Sequence, residues 1–113
     1  MTKIYISGSI THDPNYKEKF EKAERKLIER GYEVLNPIRV AENFKNLTHK
    51  QYMKIDLVIL ECADAIYMLK DWKSSKGAVI EQVQALQDGK EVIYEEREVL
   101  SDKYKWHYNY KEE

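Results

Sequence analysis

The 113-residue sequence has a single cysteine, Cys62, so no disulfide can close within the chain. Its three histidines, His12, His49 and His107, stand far apart without ligand spacing, and with one Cys they form no zinc-site pattern. No metal site and no resident cofactor are expected. Long apolar runs are also missing. Ile4 to Ile6, after the opening Met-Thr-Lys, is too short for a signal h-region or a membrane span, so a cytoplasmic protein without a membrane partner is expected. Neither sign of charge prevails: 19 Lys and Arg face 20 Asp and Glu, for a net charge of −1. Wrapping a nucleic-acid backbone draws on many uncompensated basic side chains, so the balance argues against a nucleic acid polymer as partner. A small anionic ligand stays open, because a local pocket needs no global charge.

What is present suits one compact domain. Hydrophobic residues make up 42% and charged residues 35%, enough for a modest core under a well-solvated surface. Lys3 to Ser7 reads as a buried strand ended by Gly8. Tyr16, Phe20, Ala23, Leu27 and Ile28 recur at helical spacing between Pro14 and Gly31. Tyr32 to Asn36 is a second strand stopped by Pro37, and a loop or short helical piece continues to Leu47. Thr48 is an N-cap candidate for a helix to about Cys62, with Tyr52, Ile55, Ile59 and Cys62 on one face. Ala65 to Leu69 is a third strand, Lys70 to Lys76 a polar loop, Gly77 to Asp88 a third helix with Gly89 behind it, and Glu91 to Tyr94 a fourth strand.

Strands separated by helices imply parallel pairing through right-handed crossovers and an open sheet with helices on both faces. Ligands of such sheets bind beyond the carboxyl ends of the strands. That rule puts Gly8 to Thr11 and Lys70 to Gly77 on one rim. Residues 1–94 form this α/β domain. Residues 95–113 are an extension, part of the same domain or an oligomer contact, with Tyr104, Trp106, Tyr108 and Tyr110 alternating in it.

Several residues are candidates for chemistry. Glu81 lies in the first two turns of the third helix, where the partial positive charge favours a carboxylate. Ala78 and Ala85 share its face, and Val79, Val83 and Leu86 are expected to be the separate core stripe. An ordinary solvent-facing helix Glu is the alternative. Asp56 sits among Tyr52, Ile59 and Leu60, where desolvation would raise its pKa toward general-acid use; the alternative is a structural Asp bound to nearby backbone. Tyr5 points away from Ile4 and Ile6 by strand alternation, and a satisfied core tyrosine is its bland reading. Gly8, Ser9, Ile10 and Thr11 make a small-residue turn that is no GxGxxG fingerprint. Ser74, Ser75 and Gly77 precede a helix, as suits a phosphate or a plain cap.

The segments Lys3 to Ile10, Tyr52 to Asp56, Cys62 to Leu69 and Ser75 to Glu81, in that order and at matching intervals, resemble the nucleoside 2-deoxyribosyltransferase superfamily. They also resemble its hydrolase branch, the 2′-deoxynucleoside 5′-monophosphate N-glycosidases, and within it small members encoded by bacteriophages and prophages. The likeness covers about Lys3 to Tyr94. It implies a flavodoxin-like three-layer α/β fold with a parallel sheet of four or five strands. It implies Glu81 as nucleophile, Tyr5 as the residue orienting it, and Asp56 as support for proton transfer to the base. Ser75 and Gly77 would help hold a 5′-phosphate, and Gly8, Ser9 and Ile10 would line the nucleotide site.

The implied activity is cleavage or transfer of the N-glycosidic bond of a nucleoside or nucleoside 5′-monophosphate. The alternative is a protein that binds or sequesters such a ligand without turnover. Lys76 departs from the uncharged residue that close hydrolases carry beside the glycine, and the PGGxGT-type loop of the lysine-decarboxylase-like phosphoribohydrolases is absent. Relatives complete their sites with a neighbouring subunit, so a homodimer or larger homo-oligomer is expected, with the aromatic tail a candidate contact.

Overall fold

The computed structural model describes residues 1–98. The expectation for the aromatic tail therefore lies outside the described residues. In chain order the elements are β1 (Lys3–Ser7), α1 (Tyr16–Glu29), β2 (Glu33–Leu35), α2 (Ile38–Asn43), α3 (His49–Glu61), β3 (Ala65–Met68), a 3-10 turn (Trp72–Ser74), α4 (Lys76–Gln87) and β4 (Glu91–Tyr94). The short helix α2 resolves the segment that the sequence leaves open between Pro37 and Leu47.

The strands form one parallel sheet in the order β2-β1-β3-β4, with Tyr5 opposite Leu35 on one side and Ile66 on the other. This is the flavodoxin-like α/β arrangement. Strand alternation divides the core into two layers. Ile4, Ile6, Ala65, Tyr67 and Leu69 pack with Phe20, Ala23 and Leu27 of α1 and with Ile38 of α2. Tyr5, Ile66 and Met68 pack on the opposite side with Leu60 of α3 and with Ala78 and Ala85 of α4. The chain steps outward from β1 to β2 and then back across to β3, so the direction of winding reverses between β1 and β3. Ligands of such folds collect at the carboxyl end of that crevice.

The helices begin and end as the sequence indicates. Thr48 and Gln51 form a reciprocal capping box on α3. Gly31 and Gly89 follow α1 and α4 at φ +92 and +71, a conformation that costs glycine least.

Two helix faces differ from expectation. On α4 the stripe Val79, Val83 and Leu86 is exposed, whereas Ala78, Glu81 and Ala85 are buried. The sheet already supplies bulky side chains here, Tyr5, Ile66 and Met68. The helix therefore docks through its small residues, since large and small surfaces interdigitate where two large ones would hold the layers apart. On α3, Ile59 packs against the core and Tyr52 lines the cavity, but Cys62 is exposed, and Leu60 is the fully buried residue with Leu57 beside it. The inward face thus extends beyond the expected residues to Met53, Asp56, Leu57 and Leu60. On α1, Ile28 likewise faces solvent.

Candidate active site

The rim beyond β1 and β3 is tightly tied. The Leu69 amide donates to the Ser7 carbonyl and the Ser9 amide to Asp71 Oδ1. Lys19 of α1 forms ion pairs with both Asp13 and Asp71, joining the loop after β1 to the loop after β3. Gly8 fits because it has no side chain: a Cβ there would lie 2.8–3.1 Å from Leu69 side-chain atoms. Below this rim is a cavity of about 250 Å³, room for one small molecule. Tyr5 and Ile6 line its floor, Gly8, Ile10 and Thr11 its edge, His49, Tyr52, Met53 and Asp56 one wall, and Ser75, Gly77, Ala78 and Glu81 the other.

Of the residues expected from sequence, Tyr5, Asp56, Glu81, Gly8, Ile10, Ser75 and Gly77 therefore meet around one space. Ser9 is not among the lining residues, and its amide is spent on Asp71. Ser75 caps α4, its Oγ accepting from the Ala78 amide at 3.1 Å. Gly77 lies against α3, and a Cβ on it would come within 3.1 Å of Met53 Sδ.

Glu81 is 5% exposed, which removes the solvent-facing reading. Its Oε2 accepts from the Tyr5 hydroxyl and its Oε1 from the Ser7 hydroxyl, each at 2.6 Å and buried. Ser7 is a residue that sequence reasoning missed. The signal was available, because the alternation that turns Tyr5 away from Ile4 and Ile6 turns Ser7 the same way. Tyr52, Met53 and His49 were also not read as site residues; the first two precede Asp56 by one helical turn and so share its face.

The ionisation of the site follows from burial. Burial, reinforced by the nearby Glu81 charge, pushes the Asp56 carboxyl up to about 7. Burial raises Glu81 to about 6, opposed by the hydrogen bonds from Ser7 and Tyr5, which favour the anion. The Tyr5 hydroxyl is held well above its ordinary value by burial and then by Glu81 and Asp56. Of the two carboxyls, Asp56 therefore holds its proton more tightly than Glu81. Two carboxyl groups facing one cavity thus differ in proton affinity by environment, and only Glu81 has two fixed hydroxyl donors behind it. Among the described residues no group of three His, Cys, Asp or Glu side chains could hold a metal ion.

The sequence pattern of the family described as a domain of unknown function (DUF4406) matches residues 2–94. The chain belongs to that family. The DUF4406 region takes in every element from β1 to β4 and all residues of the cavity wall. No curated protein matches the chain in sequence. Among solved structures, a 2-desoxiribosyltransferase from Leishmania mexicana is similar, with a TM-score of 0.63 and 18% identity over 83% of this chain. The DUF4406 chain spans 63% of that structure's length. A likeness at that identity establishes a shared, deoxyribosyltransferase-like fold. Among the described residues no helix is long and apolar enough to cross a membrane.

Proposed function

We propose that this protein cleaves or transfers the N-glycosidic bond of a nucleoside or nucleoside 5′-monophosphate, with Glu81 as nucleophile. The observation that carries this reading is the pairing of Glu81, hydrogen-bonded on both oxygens, with Asp56, a raised carboxyl facing the same 250 Å³ cavity. The deoxyribosyltransferase-like fold supports it. Breaking a C1′–N bond develops oxocarbenium character at C1′, which an adjacent carboxylate stabilises and then traps.

The balance of the reaction is simple. A Glu81 oxygen forms a bond to C1′ as the C1′–N bond breaks, and the bonding pair leaves on the base nitrogen. Asp56 delivers its proton to the departing base, which is otherwise a poor anion to expel. Water, or the nitrogen of a second base, then attacks C1′ and frees Glu81, returning a proton to Asp56. Tyr5 and Ser7 hold the carboxylate in place throughout. Ser75 and Gly77, at the start of α4, are suited to receive a 5′-phosphate through hydroxyl and backbone N–H groups.

Incubation with a panel of nucleosides and 5′-monophosphates, with and without a second free base, tests the proposal by chromatography of released or exchanged base. Release or exchange by the wild type, abolished in a folded Glu81→Gln, is the expected result. Ligand binding without either reaction would make the protein a binder and reject the assignment.

A further inference from the structure

The mouth of the cavity lies between two loops, and Lys19 of α1 pairs with a carboxylate on each. Asp13 closes the loop after β1. Its amide donates to the Ile10 carbonyl at 3.3 Å, and its Oδ1 accepts from the Asn15 amide at 2.8 Å. Within that turn His12 sits at φ +66, a left-handed conformation that costs a residue with a side chain and needs holding. Ile10 and Thr11, which line the cavity edge, belong to the same turn. Asp71 opens the loop after β3. Its Oδ1 accepts from the Ser9 amide at 3.1 Å, and its carbonyl accepts from the Ser74 amide and hydroxyl at 3.0 and 2.8 Å. Ser75, the next residue, caps α4 and lines the opposite wall.

Lys19 is not itself among the lining residues. Its side chain is 32% exposed and those of Asp13 and Asp71 are 21% and 29% exposed, so solvent screens these pairs less than it would on an open surface. The next residue, Phe20, is buried in the core, which seats the base of the lysine on a fixed helix. We propose that Lys19 is a positioning residue: shared between Asp13 and Asp71, its ammonium sets the spacing between the Ile10–Thr11 edge and the Ser75 wall, and so the fit of the ligand held between them. This rests on the reading of the cavity as a nucleoside or nucleotide site. Without the shared cation two carboxylates face each other uncompensated, and the loops that carry them separate. The reacting carboxyls are held by other elements, Glu81 by Tyr5 and Ser7 of β1 and Asp56 by α3. Loss of Lys19 therefore falls on ligand binding and spares bond cleavage.

The test is steady-state kinetics on the nucleoside or monophosphate that the wild type turns over best, with amide hydrogen exchange on the same proteins, each folded by circular dichroism. Lys19→Met is expected to raise KM about ten-fold, the scale of one lost charge-assisted hydrogen bond, with kcat within about two-fold of wild type. Exchange at the Ser9 amide is expected to quicken with it. Lys19→Arg, which keeps the charge and has donors for both carboxylates, is expected to restore most of the KM. The double variant Lys19→Met/Asp13→Asn replaces one cation and two anions by a single anion, so it keeps the net charge of the trio without the bridge. It is expected to stay as impaired as Lys19→Met. Lys22→Met, exposed on the same helix, makes the same change in total charge and is expected to alter neither KM nor exchange. Wild-type KM or Ser9 exchange in Lys19→Met, a loss confined to kcat, or no rescue by Lys19→Arg would overturn the proposal. So would recovery in the double variant, which would assign the effect to charge on the rim. A wild type that binds its ligand without turnover rejects the glycosidic reading instead, and the calorimetric Kd of that ligand then decides the same comparison in place of KM.

Discussion

Tyr5 and Ser7, two positions apart on one side of β1, reach different oxygens of a single carboxylate, that of Glu81 on α4. The strand thus carries both donors and the helix the acceptor. A carboxylate oxygen that accepts one hydrogen bond keeps a further lone pair, so both donors can hold Glu81 and leave it able to act as the proposed nucleophile. They also offset part of the hydration that burial removes.

Ser7 therefore has a measurable effect on ionisation. In Ser7→Ala, Oε1 loses its donor, the anion is disfavoured, and the acid limb of kcat/KM moves to higher pH. A hydrogen bond to a charged group contributes about 1.5–3 kcal/mol, so the loss on the acid side is expected at roughly ten-fold. Ser7→Cys, a weak donor of similar shape, should fall between. Superimposable acid limbs in wild type and Ser7→Ala would make the hydroxyl a packing element only.

Wild-type kcat/KM should trace a narrow bell. Glu81 must be ionised, which sets the acid limb at about 6, and Asp56 must hold a proton, which sets the alkaline limb at about 7. Asp56→Asn should lose the alkaline limb and most of the rate, because general-acid help is typically worth about 10²–10⁴-fold. Substrates whose base departs without protonation, such as N-alkylated cationic purines, should be largely spared. A uniform loss across both kinds of substrate would contradict the acid role.

Stability should also depend on this pair. The native values of Asp56 and Glu81 lie above the ordinary 3.8 and 4.5, so the folded state binds protons more tightly than the unfolded one. Their contribution to stability is then fully present below about 4 and is lost as pH rises through 6–7. Solvent reaching Asp56 through the cavity reduces its share. At pH 8 Glu81→Gln removes a buried charge. It should raise stability by on the order of 1 kcal/mol, several degrees in Tm for a domain of this size, while abolishing turnover. Thermal melts at pH 5 and pH 8 read this directly; a lower Tm for Glu81→Gln at pH 8 would contradict it.

Ser75 separates capping from ligand binding. Ser75→Ala removes the cap on the Ala78 amide, at a cost of about 1 kcal/mol, together with any donor to a phosphate. Ser75→Asp keeps the cap but repels an anion. With a phosphate at the start of α4, Ser75→Asp should match wild-type Tm yet lose the preference for a monophosphate over its nucleoside. Equal kcat/KM for the two substrates in the wild type would reject the phosphate site.

Much of this architecture is readable from the chain. Alternating strands and helices with Gly31 and Gly89 behind two of the helices lead to the parallel sheet, and Thr48 marks the start of α3. Helix orientation was less accessible. Periodicity locates the large apolar residues, and on α4 these lie outside because Tyr5, Ile66 and Met68 leave the inner side to Ala78 and Ala85. The same effect hid the burial of Glu81, whose environment depends on residues far away in sequence. The turn of α3 that brings Met53 and Asp56 to the cavity is likewise set by tertiary packing, since apolar residues surround that helix on most sides.

Gly77 gives the site a means of adjustment that contains no ionisable atom. Its missing side chain lets the Met53 thioether lie where a Cβ would come within 3.1 Å, and Met53 is one helical turn before Asp56. An alanine there asks the flexible end of Met53 to give by a few tenths of an ångström. A valine or leucine adds more volume against Met53, on the helix that carries Asp56. Proton affinity at the cavity is thus exposed to hydrocarbon volume at Gly77, a change that touches neither carboxylate.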